Sequence, residues 1–397
     1  MTSLVVALSL AKALVLAAPE PSQGTTPPAT PPAQDQDVIP SSPFAPPPTK
    51  GLVLQSGDFT WKFGGYIKVD LIHDFDDIGS TDFFDPRTIP TSGAVEPGDT
   101  THLQANQTRF NLDVRGPSTA GPFRGFFEGD FYGTDGSFRI RHAFGEIEHV
   151  LGGKTWTTFM DEEAMPETLD FESPTAFPLV RTAQIRWSQK LEGGDYFAMA
   201  LEDPASEVEP PPGVTGEVKE PWPDLTGRYH WLNPLGHVQL GLFTGMARFV
   251  PDTGGEDDAL LWGVNVSTKL KTWEKDYAIA QVTYGDGVGR YRGGITAAPD
   301  ANGDLEAVPI LGLMGSYEHH WSEKYRSTLA YSWGEADLPG DAQTSDSQEV
   351  QYLAANLIWQ FADRAWVGME YLYGYNETFD DEDGTANRLQ FSMRFDL

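Results

Sequence analysis

From Phe59 to its end the chain shows one recurring pattern, an alternation of apolar and polar residues with period 2. In Ile67-Lys68-Val69-Asp70-Leu71 the odd positions are apolar and the even ones charged. Arg109 to Arg115 (RFNLDVR), Arg139-Ile140-Arg141 and Gln184-Ile185-Arg186-Trp187 repeat it. No stretch keeps the 3.6-residue period of an amphipathic helix, so the segments read as strands with one greasy face and one charged face. Sixteen segments of about ten residues begin near Trp61, His102, Phe123, Phe138, Gly153, Arg181, Tyr196, Asp224, Gly236, Leu260, Asp276, Pro309, Tyr325, Val350, Ala365 and Asn387. Their connections alternate in length. Short ones such as Leu151–Gly152, Leu232–Leu235 and Phe361–Arg364 take turns with long ones such as Phe75–Thr101, Asp161–Val180 and Gly285–Val308. Only Gly133–Ser137 (GTDGS) is short where a long loop is due.

Alternating connection lengths imply antiparallel neighbours, with turns at one rim and elaborated loops at the other. An even number of amphipathic strands built this way predicts an all-β protein, a transmembrane antiparallel β-barrel of the outer membrane. A closed barrel satisfies every backbone hydrogen bond in lipid without an apolar helix. The mean hydropathy of −0.36 then follows, because half of each strand faces water. The 23 Phe, 14 Tyr and 11 Trp residues supply interfacial girdles. A formal charge of −31 argues against nucleic acid as a partner, since phosphate binding needs clustered cations. The absence of cysteine removes disulfides, thiolate metal sites and Cys nucleophiles. In the last segment Leu389, Phe391, Met393, Phe395 and Leu397 alternate with polar residues, a pattern expected of the signal read by the outer-membrane insertion machinery.

The first residues read differently. Leu4 to Ala18 is an apolar run too short to span a bilayer, and residues 1–18 read as a signal peptide. Residues 19–56 read as a flexible periplasmic spacer, because 11 of the chain's 30 prolines fall between Pro19 and Pro48. The barrel is expected over residues 57–397.

Seven segments carry a family resemblance: Phe63–Asp70 (FGGYIKVD), Gln107–Asn111 (QTRFN), Glu128–Gly136 (EGDFYGTDG), Arg141–Gly145 (RHAFG), Lys154–Met160 (KTWTTFM), Pro166–Glu172 (PETLDFE) and Arg181–Arg186 (RTAQIR). In these the chain resembles the trimeric DcaP-like porins, over Phe59 to about Pro204. The resemblance implies a homotrimer that takes up dicarboxylates and other small anions. It also implies a helical coiled coil ahead of the barrel, where this chain has the proline-rich stretch instead.

The alternation places Lys68, Arg109, Arg115, Arg124, Arg139, Arg141 and Arg186 on the lumen face, facing Asp70, Asp113, Glu128 and Asp130. On the lipid face each cation would cost roughly 2–4 kcal/mol near the midplane. Guanidinium groups hold carboxylates through paired hydrogen bonds, so such a wall suits anions. The connection Asp161–Val180 is expected to fold inward as a constriction loop, with Met165, Leu169 and Phe171 on the wall and Glu162, Glu163, Glu167, Asp170 and Glu172 towards the pore. These acids leave a cation-preferring general porin as the alternative; a secreted carbohydrate-binding β protein is the alternative of another class. No Ser/His/Asp spacing suggests catalysis, and no cofactor or metal site is expected. His319 and His320 are adjacent and point to opposite faces. Asp380–Asn387 (DDEDGTAN) reads as a solvated loop lacking the EF-hand spacing. Expected partners are outer-membrane lipid and lipopolysaccharide.

Overall fold

The computed structural model describes residues 51–92, 98–211, 213–300, 302–339 and 345–397. The expected signal peptide and residues 19–50 of the expected spacer lie outside these. The fold is a closed antiparallel barrel of sixteen strands. In chain order they are β1 (Phe59–Asp74), β2 (in two pieces, Thr100–Gln104 and Arg109–Ser118), β3 (Gly121–Asp130), β4 (Arg139–Ile147), β5 (Val150–Trp156), β6 (Arg181–Lys190), β7 (Tyr196–Glu202) and β8 (Asp224–Asn233). The second half comprises β9 (Gly236–Pro251), β10 (Asp257–Lys271), β11 (Tyr277–Asp286), β12 (Pro309–His320), β13 (Tyr325–Ala336), β14 (Ser347–Ala362), β15 (Ala365–Thr378) and β16 (Asp383–Asp396). Each predicted segment start falls in one of these strands or one residue before it. The seam closes between β1 and β16, from Tyr66 opposite Asp396 to Asp74 opposite Arg388. Among the described residues no helix is long and apolar enough to cross a membrane.

The two faces follow the sequence pattern. On β1, Lys62, Tyr66, Lys68, Asp70 and Asp74 are buried inside, while Trp61, Phe63, Ile67, Val69 and Leu71 are exposed on the outer face. Two-residue hairpins join β2 to β3, β4 to β5, β8 to β9 and β14 to β15. Beside the short turns stand Trp187, Phe197, Trp231, Tyr325 and Trp359 on the outer surface, packed in pairs such as Trp187 with Phe197 and Tyr325 with Trp359. They form the aromatic girdle of one membrane interface. Phe391, Met393 and Phe395 of β16 are exposed on the same outer face, and the Leu397 amide donates to the Gly65 carbonyl.

Two features depart from the sequence reading. Strand structure is present before Gly57: Leu52–Ser56 forms a short strand against Phe59–Phe63, turning at Gly57 with φ of 60°. Its consecutive Leu52, Val53 and Leu54 lack the alternation that marked the other strands. On β4 a register shift opposite Glu128 and Gly129 places two successive side chains, Arg141 and His142, inside. After this bulge Phe144 and Glu146 continue the lumen face, so the alternation changes phase.

Candidate functional site: the constriction of the lumen

The connection from Thr157 to Val180, between β5 and β6, runs inside the barrel rather than over its rim. Its start is tied down by Glu202 of β7, which accepts hydrogen bonds from Thr157 Oγ1 and the Thr158 amide, both at 2.6 Å. A single 3-10 turn, Glu162–Ala164, follows and is capped by Asp161. Asp161 accepts from Ser267 Oγ (2.6 Å) and pairs with His237 Nε2 (2.8 Å). Burial pushes this carboxyl up, but His237 and the Ser267 hydroxyl outweigh it and hold Asp161 well below the usual carboxylate range.

Further along, the loop is stitched to the far wall. Glu162 pairs with Arg228 of β8 at 3.3 Å, and Gln281 of β11 donates to the Ala164 carbonyl. Glu167 receives both arms of Arg326 of β13, at 2.6 and 2.7 Å. Glu370 of β15 accepts from the Leu169 and Asp170 amides, and Lys68 of β1 donates to the Leu169 carbonyl at 2.6 Å. Asp170 accepts from the Phe84 amide, and Glu172 pairs with Arg292 at 3.1 Å. Leu169 packs with Ile358 and Trp366, and Met165 packs beside Trp156, Met160 and Phe177.

This arrangement corrects the expected row of pore-facing acids. Glu162 and Asp170 are buried, and Glu167 and Glu172 turn to arginines; Glu163 alone of the five is exposed, with 44% of its side chain accessible. A carboxylate leaving water needs compensating charge or donors; β8 and β13 supply Arg228 and Arg326, the connection after β11 supplies Arg292, and Glu370 takes the backbone amides.

The near wall holds the cations predicted from the alternation, and all seven lie on its inner side. Lys68 pairs with Asp70 at 3.0 Å. Arg115 and Arg124 share Asp113, at 2.9 and 3.0 Å. Arg139 and Arg141 share Asp130, at 2.9 and 2.8 Å, and Arg141 also reaches Glu128 at 3.1 Å. Arg186 donates to Gln184 Oε1 and to the Trp156 carbonyl. The four predicted acids are therefore partners of the predicted cations.

Phe171 is where loop and wall meet. Rather than packing on apolar wall, its ring stacks on Tyr132 at 4.1 Å, and the guanidinium carbons of Arg109, Arg139 and Arg141 stand 5.9, 5.6 and 5.4 Å from its centre. Arg181 lies over the Trp156 ring at 4.1 Å and within Coulomb reach of Arg141, Arg109 and Arg139 and of Asp130. Its Nη1 is buried without a hydrogen-bond partner, and no ion pair to it is present among the described residues. On the long-loop side of the constriction a cavity of about 430 Å³ is bounded by Arg87, Arg292, Phe177 and Asp346. Asp85 at its edge is pushed up by burial but held below the usual range by the bidentate contact with Arg87.

A family model described as DcaP outer membrane protein matches residues 53–397, the whole barrel and its leading strand. The chain belongs to this family. It is an outer-membrane channel. The crystal structure of the outer membrane channel DcaP of Acinetobacter baumannii superposes with a TM-score of 0.77 at 23% identity, covering 87% of this chain and 99% of that one. The anion-selective porin from Comamonas acidovorans (TM-score 0.57, 10% identity, 85% and 100% covered) and Salmonella typhi OmpF (0.56, 10%, 87% and 100%) share the fold. No curated protein sequence matches the chain significantly. The DcaP match extends well beyond Pro204, where the sequence resemblance stops.

Several residues that build this DcaP-family constriction escape the alternation pattern. Arg181 is the first residue of β6, opposite Trp156 at the last position of β5, where the strand pleat gives way to the loop. His142 enters the lumen only through the bulge. Arg228 and Arg326 do follow the period of their strands, but each stands alone on its strand's inner face, and a single lumen cation carries no local signal.

Proposed function

We propose that this channel passes small hydrophilic anions, dicarboxylates among them, by passive diffusion, and that it works as a homotrimer. The observation that carries the anion preference is the arginine group at Phe171. Arg109, Arg139, Arg141 and Arg181 gather there against two paired carboxylates, Glu128 and Asp130, and Arg181 has no ion pair among the described residues. A carboxylate entering the lumen finds planar donors it can accept from in pairs. Selection follows from pore size and from the field of lining charges, with no chemical step.

Two observations support the trimer. β3 to β7 have only 7 to 10 residues, against 14 to 16 in β14 to β16 and β1, so one side of the barrel is low. On that low wall Lys154 points outward between Ala143 and Ala183, without an ion-pair partner among the described residues. A lysine facing lipid is costly, and a neighbouring subunit relieves that cost. The exposed Phe110, Phe127 and Phe138 nearby add apolar area to the same side.

The test is the reversal potential of purified protein in a planar bilayer under a potassium chloride gradient, with and without succinate. Anion preference with succinate lowering the chloride current is expected. Cation preference would overturn the reading in favour of a cation-preferring general porin.

A further inference from the structure

We propose that the lumen carries a binding site for a divalent transition-metal ion of the Zn²⁺ type, formed by Glu163 of the constriction loop with His230 and His237 of β8 and β9. One ligand atom from each of these residues lies within 4.8 Å of the others. An ion bound at about 2.1 Å to each ligand separates them by roughly 3.4 Å in a tetrahedral shell. Closing the site therefore asks for about 1 Å of movement, and Glu163 has an exposed side chain able to make it.

The β8–β9 hairpin explains why the histidines meet. Its two-residue turn sets His230 opposite Gln239, so His237 is the diagonal neighbour on the same inner face. The two rings stack with centres 4.5 Å apart. Both are almost wholly buried, while Glu163 opens the site to lumen water.

The surroundings orient the nitrogens as a metal site requires. His237 Nε2 is engaged by Asp161 at 2.8 Å, and Ser267 Oγ donates to that carboxylate in turn. With the proton on Nε2, the lone pair of Nδ1 faces Glu163, whose Oε2 lies 3.9 Å away. His230 Nδ1 lies 3.4 Å from Gln239 Oε1, which leaves its Nε2 available. A carboxylate behind a ligating histidine fixes the tautomer and raises ligand basicity. Two imidazoles and one carboxylate with an open position suit Zn²⁺, and Cu²⁺ still more tightly, whereas Mg²⁺ and Ca²⁺ require oxygen shells. An ordinary buried ion pair needs only His237 and Asp161; it does not call for a second oriented imidazole and an open carboxylate beside them.

The test uses tag-free full-length protein in detergent, stripped with chelator and titrated with Zn²⁺ against a chromophoric competitor. One ion per chain at micromolar concentration is expected. Glu163→Gln, at an exposed position, removes a charged ligand and should weaken binding by at least the roughly 10–100-fold that the loss of an outer-shell partner costs, and His230→Gln should abolish it. Co²⁺ should give visible ligand-field bands in the wild type that are lost in both variants, with heat-modifiable migration showing that each barrel is folded. Less than one ion per chain at 100-fold higher Zn²⁺, or equal affinity in the folded Glu163→Gln protein, would overturn the proposal.

Discussion

Arg181→Ala is the most informative single change, because it removes a lumen charge without stranding a carboxylate. A unit charge at about 6 Å in a water-filled lumen is worth roughly 0.7 kcal/mol. Its loss disfavours an anion and favours a cation by that amount, so the anion-to-cation ratio changes by about 1.4 kcal/mol, or roughly tenfold. Reversal potentials at about 0.1 M salt should therefore move towards cation preference. At 1 M, where the screening length is about 3 Å, the shift should shrink sharply. Arg181→Lys separates charge from geometry: it should keep the reversal potential and lose part of the block by succinate, since an ammonium cannot bind a carboxylate in parallel pairs. A folded Arg181→Ala channel with an unchanged reversal potential at low salt would refute the assignment of selectivity to this group.

Three further outcomes are expected. Burial pushes the Asp170 carboxyl up to about 7, with Arg388 opposing and Glu370 adding to the rise. A raised carboxyl contributes stability that is full below its ordinary value and lost as pH rises through 7, on the order of 4 kcal/mol at most; the heat-modification midpoint should fall from pH 5 to 8, and Asp170→Asn should flatten that fall. Glu167→Gln and Arg326→Met each break the bidentate pair that holds the loop at mid-course, a charged hydrogen-bonded contact worth about 1.5–3 kcal/mol. Each should raise open-channel current noise, and the double variant should be no noisier than either, which single-channel recording would show. Lys154→Ala should lower the temperature at which a trimer band gives way to monomer in mild detergent; an unchanged temperature would place Lys154 away from the interface.

The strands were legible because lipid and lumen impose opposite demands on successive residues, and β1 and β16 obey them without interruption. The loop's partners were not, for reasons of distance rather than pattern. Glu167 meets Arg326 and Asp170 meets the amide of Phe84, contacts that join positions more than eighty residues apart and leave no mark in any local window. The β4 bulge is hardly louder, since Arg139-Ile140-Arg141 reads as plain alternation and the adjacent His142 finds its face only once the register with β3 is known. The histidine pair stands between these cases. Asn233-Pro234-Leu235-Gly236 closes a two-residue hairpin, and that turn alone places His230 diagonal to His237.

The sign of the whole chain is no guide to the sign of its lumen. A charge of −31 belongs largely to rim loops such as Asp252–Asp258 and Asp380–Asp383, whose acids are mostly exposed to solvent. The acids that do enter the barrel stand on strands, as Asp70, Asp113, Glu128, Asp130 and Glu370 do, or on the constriction loop, and the contacts that hold the loop in place neutralise Glu162, Glu167 and Glu172. Stitching Glu162, Glu167 and Glu172 to Arg228, Arg326 and Arg292 thus has two effects at once. It fixes the constriction in place, and it leaves the near wall, where Arg181 has no ion pair among the described residues, to set the field that a permeating ion meets. Releasing the loop should accordingly change selectivity as well as disturb quiet conduction. The reversal potential of Glu167→Gln, where one loop charge is lost but Arg326 is freed, should move further towards anions.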